Sequence, residues 1–115
     1  MDFEDRIINV LGTDYKICFE DEKTNESLDS CNGYCDSSVK KIVIAKLKPE
    51  KGSLEDLVAY TKKVIRHELI HAFMYESGLD SNVEHKSIGV EETFVDWIAI
   101  QAPKLIAAFK ETKCL

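Results

Sequence analysis

The chain has 115 residues, of which 44% are hydrophobic and 31% are charged, and its formal net charge is −6. This composition is typical of a soluble globular protein, and the length predicts a single domain over residues 1–115. The negative charge argues against direct nucleic-acid binding, which depends on cations that neutralise phosphates. No apolar run approaches the roughly 20 residues that cross a bilayer, and the acidic N-terminus lacks a signal-peptide layout. We therefore expect a cytoplasmic protein with no membrane partner.

The first half of the chain predicts short β-strands. Residues 2–10 fit either a short helix or a first strand, and Tyr15 to Glu20 alternate apolar and polar side chains with the strand period. Val39 to Ala45 are rich in β-branched residues, and the lysines around them predict an edge strand. The turn before this strand falls either at Asn32-Gly33 or at 36–38. We expect a short antiparallel sheet.

The second half of the chain predicts helices. Ser53 fits an N-cap, apolar residues recur at helical spacing from Leu54 to Glu76, and Gly78 fits a left-handed C-cap. A second helical pattern begins at Val90. Pro103 predicts a break before a last helix over 104–113. The aromatic side chains of this region are expected in the core: Phe94, Trp97 and Phe109.

The first of these helices contains the pattern His-Glu-x-x-His, at His67, Glu68 and His71. Residues four apart share one face of a helix, so both imidazoles can bind one ion. Zinc binds neutral imidazole and prefers a tetrahedral site. Glu68 follows the first histidine and would stand beside the metal, where it can take a proton from water. The pattern predicts one zinc per chain.

A catalytic zinc needs a third protein ligand, and the second helix offers Glu91, Glu92 and Asp96. Glu92 and Asp96 share a face with the small residue Ala99. One carboxylate could bind the metal while the other accepts the ring N–H of His67, the usual support for a metal-bound histidine. The alternative is that the glutamates only complement the helix dipole. We favour Glu92 as the ligand and Asp96 as the orienting group.

Other candidate residues are left open by the sequence. His85 could stabilise an oxyanion or replace Glu92 as a ligand, although a solvated loop histidine is the simpler interpretation. Tyr34, Tyr60 and Tyr75 are further candidates for stabilising an oxyanion. Four cysteines complete the set: Cys18, Cys31, Cys35 and Cys114. Cys31 and Cys35 could form half of a structural zinc site, but free thiols are the favoured interpretation.

Together these residues resemble the gluzincin class of zinc metallopeptidases, and most of all the ImmA/IrrE family. That family carries His-Glu-x-x-His, then Glu-x-x-Ala-Asn and a later proline. Here the second segment reads Glu92-Thr93-Phe94-Val95-Asp96, with Pro103 beyond. Val95 and Asp96 stand where the family often has alanine and asparagine, and aspartate at that position is similar to thermolysin-like enzymes. The resemblance covers residues 54–103.

The resemblance implies a small zincin-like α+β fold with one zinc ion and a peptidase activity. The chain is also similar to small proteins of this type that phages or mobile elements encode. Characterised members of the ImmA/IrrE family cleave repressor-type regulatory proteins, so the resemblance implies a substrate of that kind. It also implies that a strand before the helix, here part of Val39–Ala45, holds the substrate peptide in extended form. Two other functions remain: a non-catalytic regulatory module with a zinc site, and a cysteine-based redox or structural-zinc protein.

Overall fold

The computed structural model describes residues 3–49, 56–81 and 92–115, which form an α+β fold as predicted. The strands are β1 (Arg6–Val10), β2 (Thr13–Glu20), β3 (Gly33–Asp36) and β4 (Lys41–Ala45), and the long helices are α1 (Leu57–Glu76) and α2 (Glu92–Glu111). Helix α1 packs on the sheet, and α2 packs on α1. In the described part of the chain, neither helix is long and apolar enough to cross a membrane.

The sheet is mixed, so the prediction of an antiparallel sheet is wrong. Its strand order is β1-β2-β4-β3, and β2 and β4 pair in parallel while the other two pairs are antiparallel. Strand β4 therefore lies inside the sheet and is not an edge. The lysines in and beside β4 therefore do not protect a sheet edge. Lys40 and Lys41 instead form ion pairs with Glu76 and Glu20. The turn before β4 lies after Asp36, the second of the two candidate positions.

The main core lies between the sheet and α1. Its buried members come from both layers: Val10, Tyr15, Ile17, Ile42, Ile44, Val64 and Ala72. Helix α1 begins at Leu57, because Asp56 is the N-cap and its Oδ1 accepts the Ala59 N–H at 2.9 Å. Ser53 and Leu54 lie outside the described residues. The helix ends at Glu76, and Gly78 has a φ of +81°, as predicted.

Helix α2 continues through Pro103, so the predicted break at this residue is wrong. A proline has no N–H and cannot donate to the carbonyl four residues earlier, which here belongs to Ala99. Arg66 of α1 supplies the missing donor, because its Nε donates to the Ala99 oxygen at 2.6 Å. Ala99 is fully buried, so its carbonyl needs this partner. One hydrogen bond thus satisfies the helix at its proline and fixes α1 to α2.

Much of the apolar surface of α2 is exposed, in contrast to the predicted core positions. Trp97, Phe94 and Phe109 are 53%, 49% and 41% exposed. The buried residues of α2 are Val95 and Ala99. The helix therefore meets α1 along a narrow strip near its first half.

We predict that Arg66 and Pro103 are energetically coupled. Arg66→Met leaves the buried Ala99 carbonyl without a donor and should lower the free energy of unfolding by about 1–3 kcal/mol. In a Pro103→Ala background residue 103 regains its N–H, so the same substitution should cost about 1 kcal/mol less. Urea unfolding of the two single variants and the double variant measures this coupling. An equal cost of Arg66→Met in both backgrounds would contradict it.

Glu76 ties the end of α1 to the sheet. Its Oε2 accepts hydrogen bonds from Lys40 Nζ at 2.8 Å and from the Tyr15 hydroxyl at 2.7 Å. A carboxylate at the C-terminal end of a helix is unfavourable for the helix dipole, and these donors offset that cost. The hydrogen bond from Lys40, followed by that from Tyr15, lowers the pKa of Glu76 below its ordinary value of 4.5.

This lowered pKa predicts a pH-dependent contribution to stability. A carboxyl group whose pKa is lower in the folded state stabilises the fold above its ordinary pKa, and this is lost as the pH falls through the folded pKa. Glu76→Gln should therefore be less stable than the wild type at neutral pH, and the difference should shrink below pH 4.5. Urea unfolding across this range is the measurement, with Glu111→Gln on exposed α2 as the control. A difference that stays constant with pH would count against the assignment.

Candidate metal centre

The imidazoles of His67 and His71 lie one turn apart on α1 and both face Glu92 of α2. Their ring centroids are 5.0 Å apart. Glu92 Oε1 lies 2.8 Å from His71 Nε2, and Glu92 Oε2 lies 3.0 Å from His67 Nε2. One ligand atom from each of these three residues lies within 4.8 Å of the others, so the group could hold a metal ion.

The arrangement of donors and acceptors fits a cation at this position. Asp96 Oδ1 lies 3.3 Å from His67 Nδ1, where it can accept the ring N–H. A proton on Nδ1 leaves only a lone pair on Nε2 of a neutral histidine, and this lone pair faces the carboxylate of Glu92, which is also an acceptor. A cation or a shared proton between them is needed to make that contact attractive. Two imidazoles and one carboxylate form a known ligand set for catalytic zinc.

Helix α2 delivers the acidic residues to the histidines as the sequence predicted. Glu92 begins the helix, Asp96 follows one turn later on the same face, and Ala99 lies another turn along, where it is buried and bonded to Arg66 of α1. The hydrogen bond from Arg66 to Ala99 holds this approach next to His67. Glu91 and His85, the alternative ligands, lie outside the described residues.

Glu68 lies beside the ligands without belonging to the group. Its side chain is 7% exposed, and it lines a cavity together with His67 and Glu92. Burial is the main cause that raises its pKa to about 7, with His71 opposing the rise and Glu92 adding to it. A metal cation nearby would lower this pKa again, because an opposite charge favours the ionised form. Glu68 is thus a buried carboxyl group that lines the same cavity as the candidate ligands and has a raised pKa.

Lys63 is a member of the site that the sequence analysis missed. Its Nζ lies 3.1 Å from Asp96 Oδ1, the same oxygen that faces His67. The hydrogen bond from Lys63 is the largest cause that lowers the pKa of Asp96, so this carboxylate stays ionised. A signal was present, because Lys63 lies four residues before His67 and therefore on the same helix face.

Of the three candidate tyrosines, Tyr60 lies at the site. It lines the cavity shared by His67, Glu68 and Glu92. Tyr34 packs against the small core on the opposite face of the sheet, and Tyr75 stacks with Lys40 near the end of α1.

The cysteines form no metal site in the part of the chain that the structure describes. All four are free: Cys18 is buried, Cys35 is partly buried, and Cys31 and Cys114 are exposed. Among the described residues, the histidines and Glu92 are the group of potential ligands. The structure therefore supports free thiols.

Comparisons with known proteins identify no relative. A scan against protein-family models and searches of curated proteins and solved structures each found no significant match. The resemblance to the ImmA/IrrE family remains a prediction carried by the motif residues.

We predict that Glu92 is the third metal ligand. Glu92→Gln removes the charge and one of the carboxylate oxygens that face the histidines, so the affinity for a divalent metal ion should fall by at least about tenfold. Isothermal titration with zinc measures the affinity, and Glu91→Gln is the matched control because it removes the same charge from the neighbouring residue. A loss confined to Glu91→Gln would reverse the assignment. A loss confined to a His85 variant would replace Glu92 with a third histidine.

Proposed function

We propose that the protein is a zinc-dependent peptidase that hydrolyses a peptide bond in an extended polypeptide. The observation that supports this proposal is that a possible metal-binding group lies next to a buried carboxyl group. His67, His71 and Glu92 could hold the ion, and Glu68 is buried beside them without being one of the ligands. A purely structural site would not need a buried carboxyl group in that place.

Each residue then has a distinct role. Zinc, when bound, polarises a carbonyl and makes water acidic enough to lose a proton near neutral pH. Glu68 accepts the proton of the attacking water and returns it to the leaving amine. Asp96 fixes the orientation and tautomer of His67, and Lys63 keeps the Asp96 carboxylate in place. The cavity that reaches Glu68 provides the space for a substrate.

The strand that would hold the substrate differs from the one predicted. Strand β4 is flanked by β2 and β3, so both its edges are already paired. Among the strands that the structure describes, β3 is an edge, and it lies beside the cavity. Ala45 N–H donates to the Asn32 oxygen at 2.9 Å, and the antiparallel alternation then turns the backbone groups of Gly33 and Cys35 to the open side. An extended peptide could add to this edge.

The substrate and location follow from the resemblance. A repressor-type regulatory protein is the substrate class that the ImmA/IrrE resemblance implies. Such a substrate would place the peptidase in the cytoplasm, and four free thiols fit a reducing compartment.

A second candidate is a non-catalytic zinc-binding module that regulates a partner protein. The exposed apolar side chains of α2 favour it, since Trp97 next to the centre is 53% exposed and Ile100 is 48% exposed. Apolar patches of this kind mark interaction surfaces.

The two candidates predict different behaviour of Glu68→Gln. As a peptidase, the protein should keep its zinc affinity in this variant and lose at least about a hundredfold in rate, the low end of general-base contributions. Zinc titration and the cleavage of purified repressors are the measurements, with Glu111→Gln as the control for loss of an exposed glutamate away from the centre. Wild-type rates in Glu68→Gln would rule out the peptidase mechanism. If the zinc-loaded wild type cleaves no protein, the regulatory module is favoured.

A further inference from the structure

The cavity beside the metal ligands extends to a pair of polar residues that no metal chemistry requires. It runs from His67 and Glu92 to Asn32, Gly33 and Tyr60. Strand β3 approaches α1 here as closely as its backbone allows, since a Cβ on Gly33 would lie 3.0 Å from Val64 Cγ1. Residues 31–33 and Tyr60 therefore line the same cavity as the candidate metal ligands.

The hydroxyl group of Tyr60 can donate one further hydrogen bond. Asn32 Nδ2 donates to it at 2.7 Å, so the hydroxyl oxygen acts as the acceptor in this contact. A phenol also carries one proton that it can donate, and among the described residues no acceptor for this proton is found. Lys63 Nζ lies 5.2 Å from the ring centroid and helps to fix the ring. The tyrosine is thus held in position with its own proton available.

The neighbouring strand indicates which acceptor it would meet. The open edge of β3 presents the backbone groups of Gly33 and Cys35, and Asn32 immediately precedes this edge. An extended peptide on the edge places main-chain carbonyls at regular intervals along it. The substrate carbonyl that lies past the Gly33 end of this edge would face the Asn32–Tyr60 pair.

We infer that the Tyr60 hydroxyl, fixed by Asn32, is a substrate-binding donor that holds a main-chain carbonyl of an extended peptide. This inference rests on the proposed function and adds the residue that anchors the substrate away from the metal. Tyr60 lies seven residues before His67, about two helical turns, so it contributes to binding and not to the bond that is cleaved.

The chain provides a matched control for this inference. Tyr34 also accepts a hydrogen bond from an asparagine, Asn25 Nδ2 at 3.0 Å, but it lies on the opposite face of the sheet. Tyr60→Phe and Tyr34→Phe therefore remove the same hydroxyl from similar pairs, one at the cavity and one on the other face of the sheet.

The test uses fluorescein-labelled β-casein, an unstructured protein, as the probe. Its Kd for the zinc-loaded Glu68→Gln chain is measured by fluorescence anisotropy, with and without each tyrosine substitution. Tyr60→Phe should raise the Kd by about three- to tenfold, the change expected for one neutral hydrogen bond. In the active chain it should raise KM by the same factor with little change in kcat or in zinc affinity. Tyr34→Phe should change none of these values, and Asn32→Ala should weaken binding in the same direction as Tyr60→Phe.

Three outcomes would overturn the inference. The first is an unchanged Kd in Tyr60→Phe, and the second is an equal increase of the Kd in Tyr34→Phe. The third is the absence of any β-casein binding by the zinc-loaded Glu68→Gln chain. Failure of the proposed function is a separate result, because a chain that binds casein through Tyr60 but never cleaves it would keep this binding site without the peptidase activity.

Discussion

The candidate centre depends on the contact between α1 and α2, because its ligands come from both helices. Two histidines on α1 form half a site, and Glu92 and Asp96 complete it only if α2 lies close alongside. The contact is narrow, since Val95 and Ala99 are the buried residues of α2. The hydrogen bond from Arg66 to the Ala99 carbonyl therefore contributes a larger share of this contact than a single bond would in a large interface. It exists because Pro103 leaves that carbonyl without its helical donor.

The features that sequence predicted well are those set by local periodicity. The end of α1, its left-handed glycine cap and the placement of His67 and His71 on one face all follow from helical spacing. The errors concern long-range pairing. The parallel contact between β2 and β4 joins strands separated by a whole strand and its loops, and no local pattern specifies it. The lysines beside β4 predict edge protection, but Lys40 and Lys41 pair with Glu76 and Glu20, and no local pattern indicates these distant partners.

The proline in α2 shows why contacts between separate elements could not be predicted from the sequence. Taken alone, Pro103 removes a hydrogen bond and ends most helices. Here a donor from another helix compensates, so the rule fails for a reason that lies outside the segment. The same holds for Asn32, which reaches Tyr60 across twenty-eight residues, and for the aromatic side chains of α2 that periodicity assigned to the core. Side-chain contacts between elements depend on how the elements are placed, and a single sequence carries little of that information.

The charges at the centre give an independent reason to expect a cation there. Glu92 faces the Nε2 atoms of both imidazoles, and Glu68 is buried nearby, which raises the pKa of Glu68. Lys63 balances the negative charge of Asp96, because its ammonium group lies against that carboxylate and not against Glu92. Gathering carboxylates and lone pairs in a half-buried cleft is costly unless a positive charge is shared among them. A divalent ion would supply that charge to Glu92 and both histidines at once, whereas a shared proton would serve one histidine at a time.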